Sequence, residues 1–350
     1  MTETNRYERQ IRLREIGEQG QDKLARASVL VVGAGGLGCP VLQYLAGAGV
    51  GTIGIIDHDS VALTNLHRQI LFRESDIGQN KADAARAHLL QMNSDISIKA
   101  YNNKLEAQNA EDVLAEFDII IDGTDNFEAT YLINDICVKS GKAMIYGSVS
   151  GFEGQTALLN HFEGAPCYRC IYPQSPVTPI MNCAEAGILG AAAGHIGVRQ
   201  AFLALDFILG LSDTSSPSLY IWNGLSDHHM RLGISQNPAC PVCRLDAKEI
   251  KSAASHPADL PVVSLDQARN MNARLIDVRE IDEWENGYIE GAVHIPLSRI
   301  YQKPGSLSEI DVLHDDRARV LYCQKGIRSR QAGEMLKQYG FKNIYLLDQS

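Results

Sequence analysis

Several things are scarce in this 350-residue chain, and each scarcity excludes a class of protein. Lysine and arginine number 32 against 42 acidic residues, giving a net charge of -10, and no basic block occurs. That excludes a general binder of nucleic acid or of anionic membrane surfaces, so any anion must be met locally. Proline is limited to 12 residues, while 45% of the chain is hydrophobic and 21% charged, which excludes a collagenous or disordered polymer. Met1 to Glu15 carries Arg6, Glu8, Arg9, Arg12 and Arg14 and lacks the apolar core of a secretory signal. The most apolar stretch, Ala184 to Leu211, is interrupted by Glu185, His195, Arg199, Gln200 and Asp206, short of the roughly 18 unbroken apolar residues of a membrane span. These shortages predict a cytoplasmic protein with no nucleic acid and no membrane as partner.

What is present suggests two domains, since compact domains hold about 100 to 200 residues. Ser28 to Gly33 reads as a strand, followed by a glycine turn, a helix over Cys39 to Ala48 and a second strand over Thr52 to Asp57. This βαβ order continues with a helix opening near Asn80, strands around Ile96 to Tyr101 and Phe117 to Asp122, a helix after Asn126 and a strand from Ala143 to Gly147. A largely parallel, doubly wound α/β sheet is expected, closing near Cys243. Residues 244–261 lose periodicity and read as a linker, and a second α/β pattern starts at Val262.

Gly33-Ala34-Gly35-Gly36-Leu37-Gly38 lies between a strand and a helix, with Asp57 19 residues beyond Gly38. Free N–H groups at a helix start and the helix dipole favour a phosphate, while the carboxylate suits a ribose hydroxyl. The glycines alone do not decide between a dinucleotide and ATP. Asp57 and Asp59 leave the next strand end, Asn65 and Arg68 lie three apart, Lys81 opens the following helix after Gly78, and Asp125 follows the fourth strand. Two cations and a carboxylate at strand ends suit a triphosphate with Mg2+ better than a nicotinamide.

Arg6-Tyr7-x-Arg9-Gln10, the glycine run, Asp57-x-Asp59-x-Val61, Asn65-Leu66-x-Arg68-Gln69, Gly78-x-x-Lys81 and Thr124-Asp125-Asn126 together resemble the E1-like adenylyltransferases of the MoeB and ThiF group. The resemblance spans about Arg6 to Cys243 and implies a Rossmann-like fold that activates ubiquitin-like sulfur-carrier proteins with ATP. It implies that Asp57 holds the ribose, that Gly36 lies against the phosphates, and that Asn65, Arg68 and Lys81 bind the phosphate chain. It further implies Asp125 as the magnesium holder and a homodimer in which Arg9 reaches the neighbouring subunit's site.

Cys167-x-x-Cys170 and Cys240-x-x-Cys243 are two paired knuckles, a pattern that suits a closed four-sulfur Zn2+ site with a structural role; a redox pair is the competing reading. Cys183 follows a segment with three prolines in seven residues, and by the same resemblance it takes part in acyl or sulfur transfer; a buried or capping thiol is the alternative. Cys39 and Cys137 fall on helical apolar faces and are expected in the core.

Asp277-Val278-Arg279-Glu280, Trp284, Gly291-Ala292-Val293-His294-Ile295-Pro296 and Cys323-Gln324-Lys325-Gly326-Ile327-Arg328 look like a rhodanese domain running over 262–350. Cys323 leaves a strand over Arg319 to Tyr322, ahead of a helix over Ser329 to Gln338, where helix N–H groups, Lys325 and Arg328 favour a thiolate or persulfide. Rhodanese domains continue beyond Leu346-Leu347-Asp348 into a glycine pair and a last helix, whereas this sequence stops at Ser350, so either the sequence is truncated or the domain lacks its final helix. Joined, the halves suggest adenylation of a carrier's C-terminal Gly-Gly, then sulfur delivery from a Cys323 persulfide charged by a cysteine desulfurase or thiosulfate. The rivals are an NAD-dependent oxidoreductase and a non-enzymatic module that docks carriers.

Overall fold

The computed structural model describes residues 6–173, 187–245, 250, 260–302, 317–324, 326–338 and 340–348, which fall into two compact units. In the larger, β-branched runs with no polar alternation become central strands buried on both faces. Strand β1 (Ser28–Val32) shows this: Val29 and Val31 join one apolar cluster, Leu30 and Val32 the other. With β2 (Thr52–Ile56), β3 (Ser97–Tyr101), β4 (Ile119–Asp122), β5 (Ala143–Ser150), β6 (Glu153–Leu159), β7 (Ser218–Asn223) and β8 (His228–Gly233) it forms one eight-stranded sheet of order β3-β2-β1-β4-β5-β6-β7-β8.

The first five strands in that order are parallel, as expected. The last three add antiparallel, so the sheet is mixed. The cause is local: Ser150 and Glu153 pair across a two-residue connection, and so short a link can only reverse the chain. The chain order reverses between β1 and β4, which opens a crevice at their carboxyl ends.

Helices α1 (Glu8–Ile11) and α2 (Gly17–Arg26) precede the sheet, and α3 (Gly38–Ala48) follows the glycine turn. Helix α4 (Lys81–Met92) starts where the Asn80 side chain accepts from the Ala82 and Asp83 N–H groups. Then come α5 (Ala110–Ala115), α6 (Phe127–Ser140), capped by Asn126, and α7 (Tyr168–Ile171). Helix α8 (Gly190–Leu209) corrects one expectation: its 20 residues are long and apolar enough by composition to cross a membrane. Half of that apolar window is buried, α8 packs on α3, β5 and β6, and fully buried Gln200 donates to the Asp122 carbonyl at 2.7 Å. It is a core helix.

The smaller unit is a five-stranded parallel sheet of order β11-β10-β12-β13-β9, built from β9 (Val262–Val263), β10 (Arg274–Asp277), β11 (Val293–His294), β12 (Arg319–Tyr322) and β13 (Ile344–Leu347). Apolar clusters cover both its faces. Helices α9 (Leu265–Asn270), α10 (Ile281–Glu285), α11 (Leu297–Gln302) and α12 (Ile327–Gln338) accompany it. Helix α12 begins two residues earlier than its sequence pattern suggested, so its first turn stands closer to Cys323.

Candidate functional site

The glycine loop is shaped by close approach. Gly33 has φ +91°, and a Cβ there would lie 2.8 Å from the Gly123 carbonyl oxygen; a Cβ on Gly38 would lie 1.9 Å from the Gly33 carbonyl oxygen. No other residue fits either position. The loops after β1 and β4 are thereby drawn together at the crevice. A Cβ on Gly35 would meet only Gln69 Nε2, at 3.8 Å, whereas one on Gly36 would lie 3.1 Å from Ala193 of α8 and 3.5 Å from the Arg68 stem.

Asp57, half-buried just past β2, accepts from the Ala34 N–H at 2.8 Å and the Asp59 N–H at 2.9 Å. Burial raises its carboxyl above the ordinary range in spite of nearby Lys81. Lys81, 5% exposed in the first turn of α4, donates to Asp59 Oδ2 at 2.9 Å. Against its own desolvation, that bond and the lysine charge hold the Asp59 carboxyl low. The ligating atoms of Asp57, His58 and Asp59 lie within 4.8 Å of one another, an oxygen-rich set. Asn65 ends a short 3-10 turn and its carbonyl accepts the Arg68 and Gln69 N–H groups, which places Arg68 against Gly36. Arg68 also donates to the Thr64 carbonyl at 3.1 Å. Asp125 is exposed in the loop between β4 and α6. An oxygen donor on the rim of a phosphate loop suits a hard cation such as Mg2+.

The four knuckle cysteines converge. Their sulfurs stand 3.8 Å apart for Cys167 and Cys170, 3.6 Å for Cys167 and Cys240, and 3.4 Å for Cys170 and Cys243, all four within 4.8 Å. Four sulfurs each about 2.3 Å from a tetrahedral zinc lie about 3.8 Å from one another, so the donor set fits the metal. The hydrogen bond from Cys167 pulls the Cys240 thiol down to about 5, favouring the thiolate that a metal needs. The first knuckle is bolted to α6 by a two-bonded ion pair of Arg169 with Asp135, at 2.7 and 2.8 Å.

In the smaller unit Asp277 ends β10 and Cys323 follows the adjacent strand β12. Buried Asp277 holds Arg279, whose Nη2 also donates to the Gly287 carbonyl, while His294 bonds the Arg279 carbonyl at 2.8 Å. Cys323 is 7% exposed, with its thiol 3.7 Å from Ser329 Oγ in the first turn of α12. Both terminal nitrogens of Arg328 bond the Glu283 carboxylate, and that pairing holds Glu283 low.

Comparison with known proteins decides the family. The ThiF family model matches residues 7–242, and the rhodanese-like domain model matches residues 263–350. The chain belongs to the ThiF family. It is 38% identical over 356 residues to the adenylyltransferase and sulfurtransferase MOCS3 of Culex quinquefasciatus, covering 94% of this chain and 81% of the relative. It is 41% identical to the sulfur carrier protein adenylyltransferase of Thermus thermophilus, covering 69% of this chain and 91% of that protein. Among solved structures, E. coli MccB with ATP superposes with a TM-score of 0.61 at 25% identity, over 69% of this chain and 75% of that one.

Within the ThiF-family unit, Gly36, Asp57, Asn65, Arg68, Lys81 and Asp125 all occupy the carboxyl-end side of the sheet or the segments packed on it. Arg9 points elsewhere. Arg6 bonds Asp95 and the Met92 carbonyl, Tyr7 bonds Asn93, and Gln10 bonds Gln21 and the Ala48 carbonyl, while Arg9 is exposed between them. Cys183 and Lys325 lie outside the described residues. Cys39 and Cys137 are fully buried, and burial pushes Cys39 up to about 12. Three features escaped the sequence reading: buried Asp122, buried Gln200, and the small residues Gly190, Ala193 and Gly197 on α8. The last carried a visible signal, spacing of i, i+3 and i+7 within an apolar stretch.

Proposed function

We propose that this chain is an adenylyltransferase and sulfurtransferase that turns the C-terminal glycine of a ubiquitin-like sulfur carrier ending in Gly-Gly into a thiocarboxylate. The observation carrying this reading is a glycine loop pinched against Gly123 and flanked by Arg68, Lys81 and strand-end acids, on a chain whose second unit opens a helix beside Cys323. The names of its relatives support the same two activities. The ribose of ATP would lie at Asp57 and its phosphates along Gly36, Asn65, Arg68 and Lys81. Asp125 would hold Mg2+, which when bound supplies charge neutralisation on the phosphates. A carrier carboxylate oxygen attacks the α-phosphorus, the bond to the β-phosphate oxygen breaks, and pyrophosphate leaves. Arg68 and Lys81 hold the reactants in line and balance developing charge.

For sulfur transfer, the terminal sulfur of a Cys323 persulfide displaces AMP from the acyl adenylate and leaves an acyl disulfide. A Cys183 thiolate then attacks the Cys323 sulfur, releasing the thiocarboxylate and leaving a protein disulfide for a cellular thiol reductant to reopen. The persulfide comes from a cysteine desulfurase or thiosulfate. Zn2+ at the four knuckle cysteines is structural. The pinned flanks of Arg9 support a homodimer in which Arg9 completes the partner's site. The reduced thiols this chemistry needs favour the cytoplasm.

The test is carrier-dependent exchange of labelled pyrophosphate into ATP. Tight NAD binding without exchange would replace this reading with an oxidoreductase, and carrier binding indifferent to ATP would leave a docking module.

A further inference from the structure

The loop that presents Asp125 is built around another carboxylate. Asp122 ends β4, is fully buried, and accepts three hydrogen bonds. The Thr124 N–H and hydroxyl donate to Oδ1 at 3.0 and 2.7 Å, and the Thr130 hydroxyl donates to Oδ2 at 2.7 Å. Its carbonyl takes the Gln200 amide at 2.7 Å, and the next N–H, of Gly123, donates to Val32 at 2.8 Å. On the far side of Asp125, Asn126 caps α6 through the Ala129 N–H. Asp125 thus sits on a turn fixed at both ends.

All three partners of the Asp122 carboxylate are uncharged, and no cation pairs with it among the described residues. Burying a carboxylate among neutral donors is costly. Asparagine would keep all three bonds without a charge, accepting from Thr124 and donating to the Thr130 oxygen. Burial pushes the Asp122 carboxyl up to about 6, with the Asp125 charge acting in the same direction, so the two carboxylates sense each other. A charge held against such a cost, three residues from an exposed acid on a fixed turn, has a use beyond folding.

We propose that Asp122 is the positioning residue of the cation site: its carboxylate anchors the turn that presents Asp125 and adds negative potential where a divalent cation meets the triphosphate. This rests on the reading of Asp125 as the cation holder. Outer carboxylates that orient and charge a metal site typically change affinity about 10- to 100-fold when removed.

The experiment uses the full chain, α,β-methylene ATP and Mn2+ as a spectroscopic probe, with free Mn2+ read by electron paramagnetic resonance. D122N is expected to weaken Mn2+ binding about tenfold, to leave metal-free binding of the analogue unchanged, and to melt no lower than wild type. D125N sets the scale for full loss. Loss in D125N with D122N within twofold of wild type overturns the proposal and spares the reading of Asp125. Unchanged Mn2+ binding in D125N removes that reading and the proposal together. A D122N protein that melts well below wild type, weakened in Mn2+ and metal-free binding alike, assigns Asp122 to the core and also overturns it.

Discussion

Lys81 is buried, and Asp59, which it contacts at 2.9 Å, is half in solvent. A buried ammonium is thus paired with a half-exposed carboxylate, and in the proposed reading a phosphate takes that partner's place. Lys81→Met should lower the rate of pyrophosphate exchange on the order of a hundredfold. Asp59→Asn should cost less, and a double-mutant cycle in urea should show a coupling of about 1 kcal/mol or below, because the exposed acid is screened. Wild-type exchange rates in Lys81→Met would refute the phosphate role.

Cys323→Ser should abolish sulfur transfer from a persulfide or thiosulfate and leave pyrophosphate exchange intact. If both survive, the sulfur travels by another route.

Glu283 occupies both terminal nitrogens of Arg328 near Cys323. Glu283→Gln should release that charge and speed thiosulfate turnover on the order of tenfold, since a cation at a site mouth accelerates capture of an anion. The gain should shrink as salt is raised. Salt-independent rates, or no gain, would show that the pairing leaves donor choice alone.

Elemental analysis should find one zinc per chain. Chelation, or Cys240→Ser, should destabilise the larger unit by up to the order of 10 kcal/mol, the scale of structural zinc sites. Thiosulfate sulfurtransferase activity of the smaller unit should survive both treatments. A metal-free protein with unchanged unfolding would return the redox reading of the two knuckles.

Asp122 predicts a pH-dependent stability. Its folded value of about 6 lies above the ordinary 3.8, so its favourable contribution is complete below about pH 4 and fades as pH rises through 6. The difference is on the order of 3 kcal/mol at 1.36 kcal/mol per pH unit. The unfolding free energy of D122N, relative to wild type, should therefore rise between pH 4 and 7, because only the wild type loses stability there. A constant difference across that range would contradict the burial cost.

Much of this was legible in the chain itself. Val29 to Val32 could only be a strand covered on both faces, and Gly33 and Gly38 lie where an added Cβ would come within 2.8 and 1.9 Å of a backbone carbonyl oxygen. Contacts distant in sequence were not legible. Nothing near Asp122 in sequence announces that Gln200 will reach its carbonyl, and nothing near Glu283 announces Arg328, 45 residues on. The antiparallel direction of β6 to β8 was not legible either, because it is set by connections rather than by side-chain pattern. The apolar stretch before Leu209 showed the opposite failing, since composition alone cannot distinguish a core helix from a membrane one.

On α8, a Cβ at Gly190 would meet the His67 carbonyl oxygen at 2.3 Å, a Cβ at Gly36 would lie 3.1 Å from Ala193, and a Cβ at Gly197 would meet the Leu37 carbonyl oxygen at 2.5 Å. The glycine loop is thus a half-part whose complement arrives more than 150 residues later. Transplanted into another scaffold without that helix, Gly33 to Gly38 would lose one wall of its mould. For protein engineering, the portable piece is loop and helix together, and variation at Gly36, Ala193 or Gly197 is constrained as if the three were neighbours in the chain.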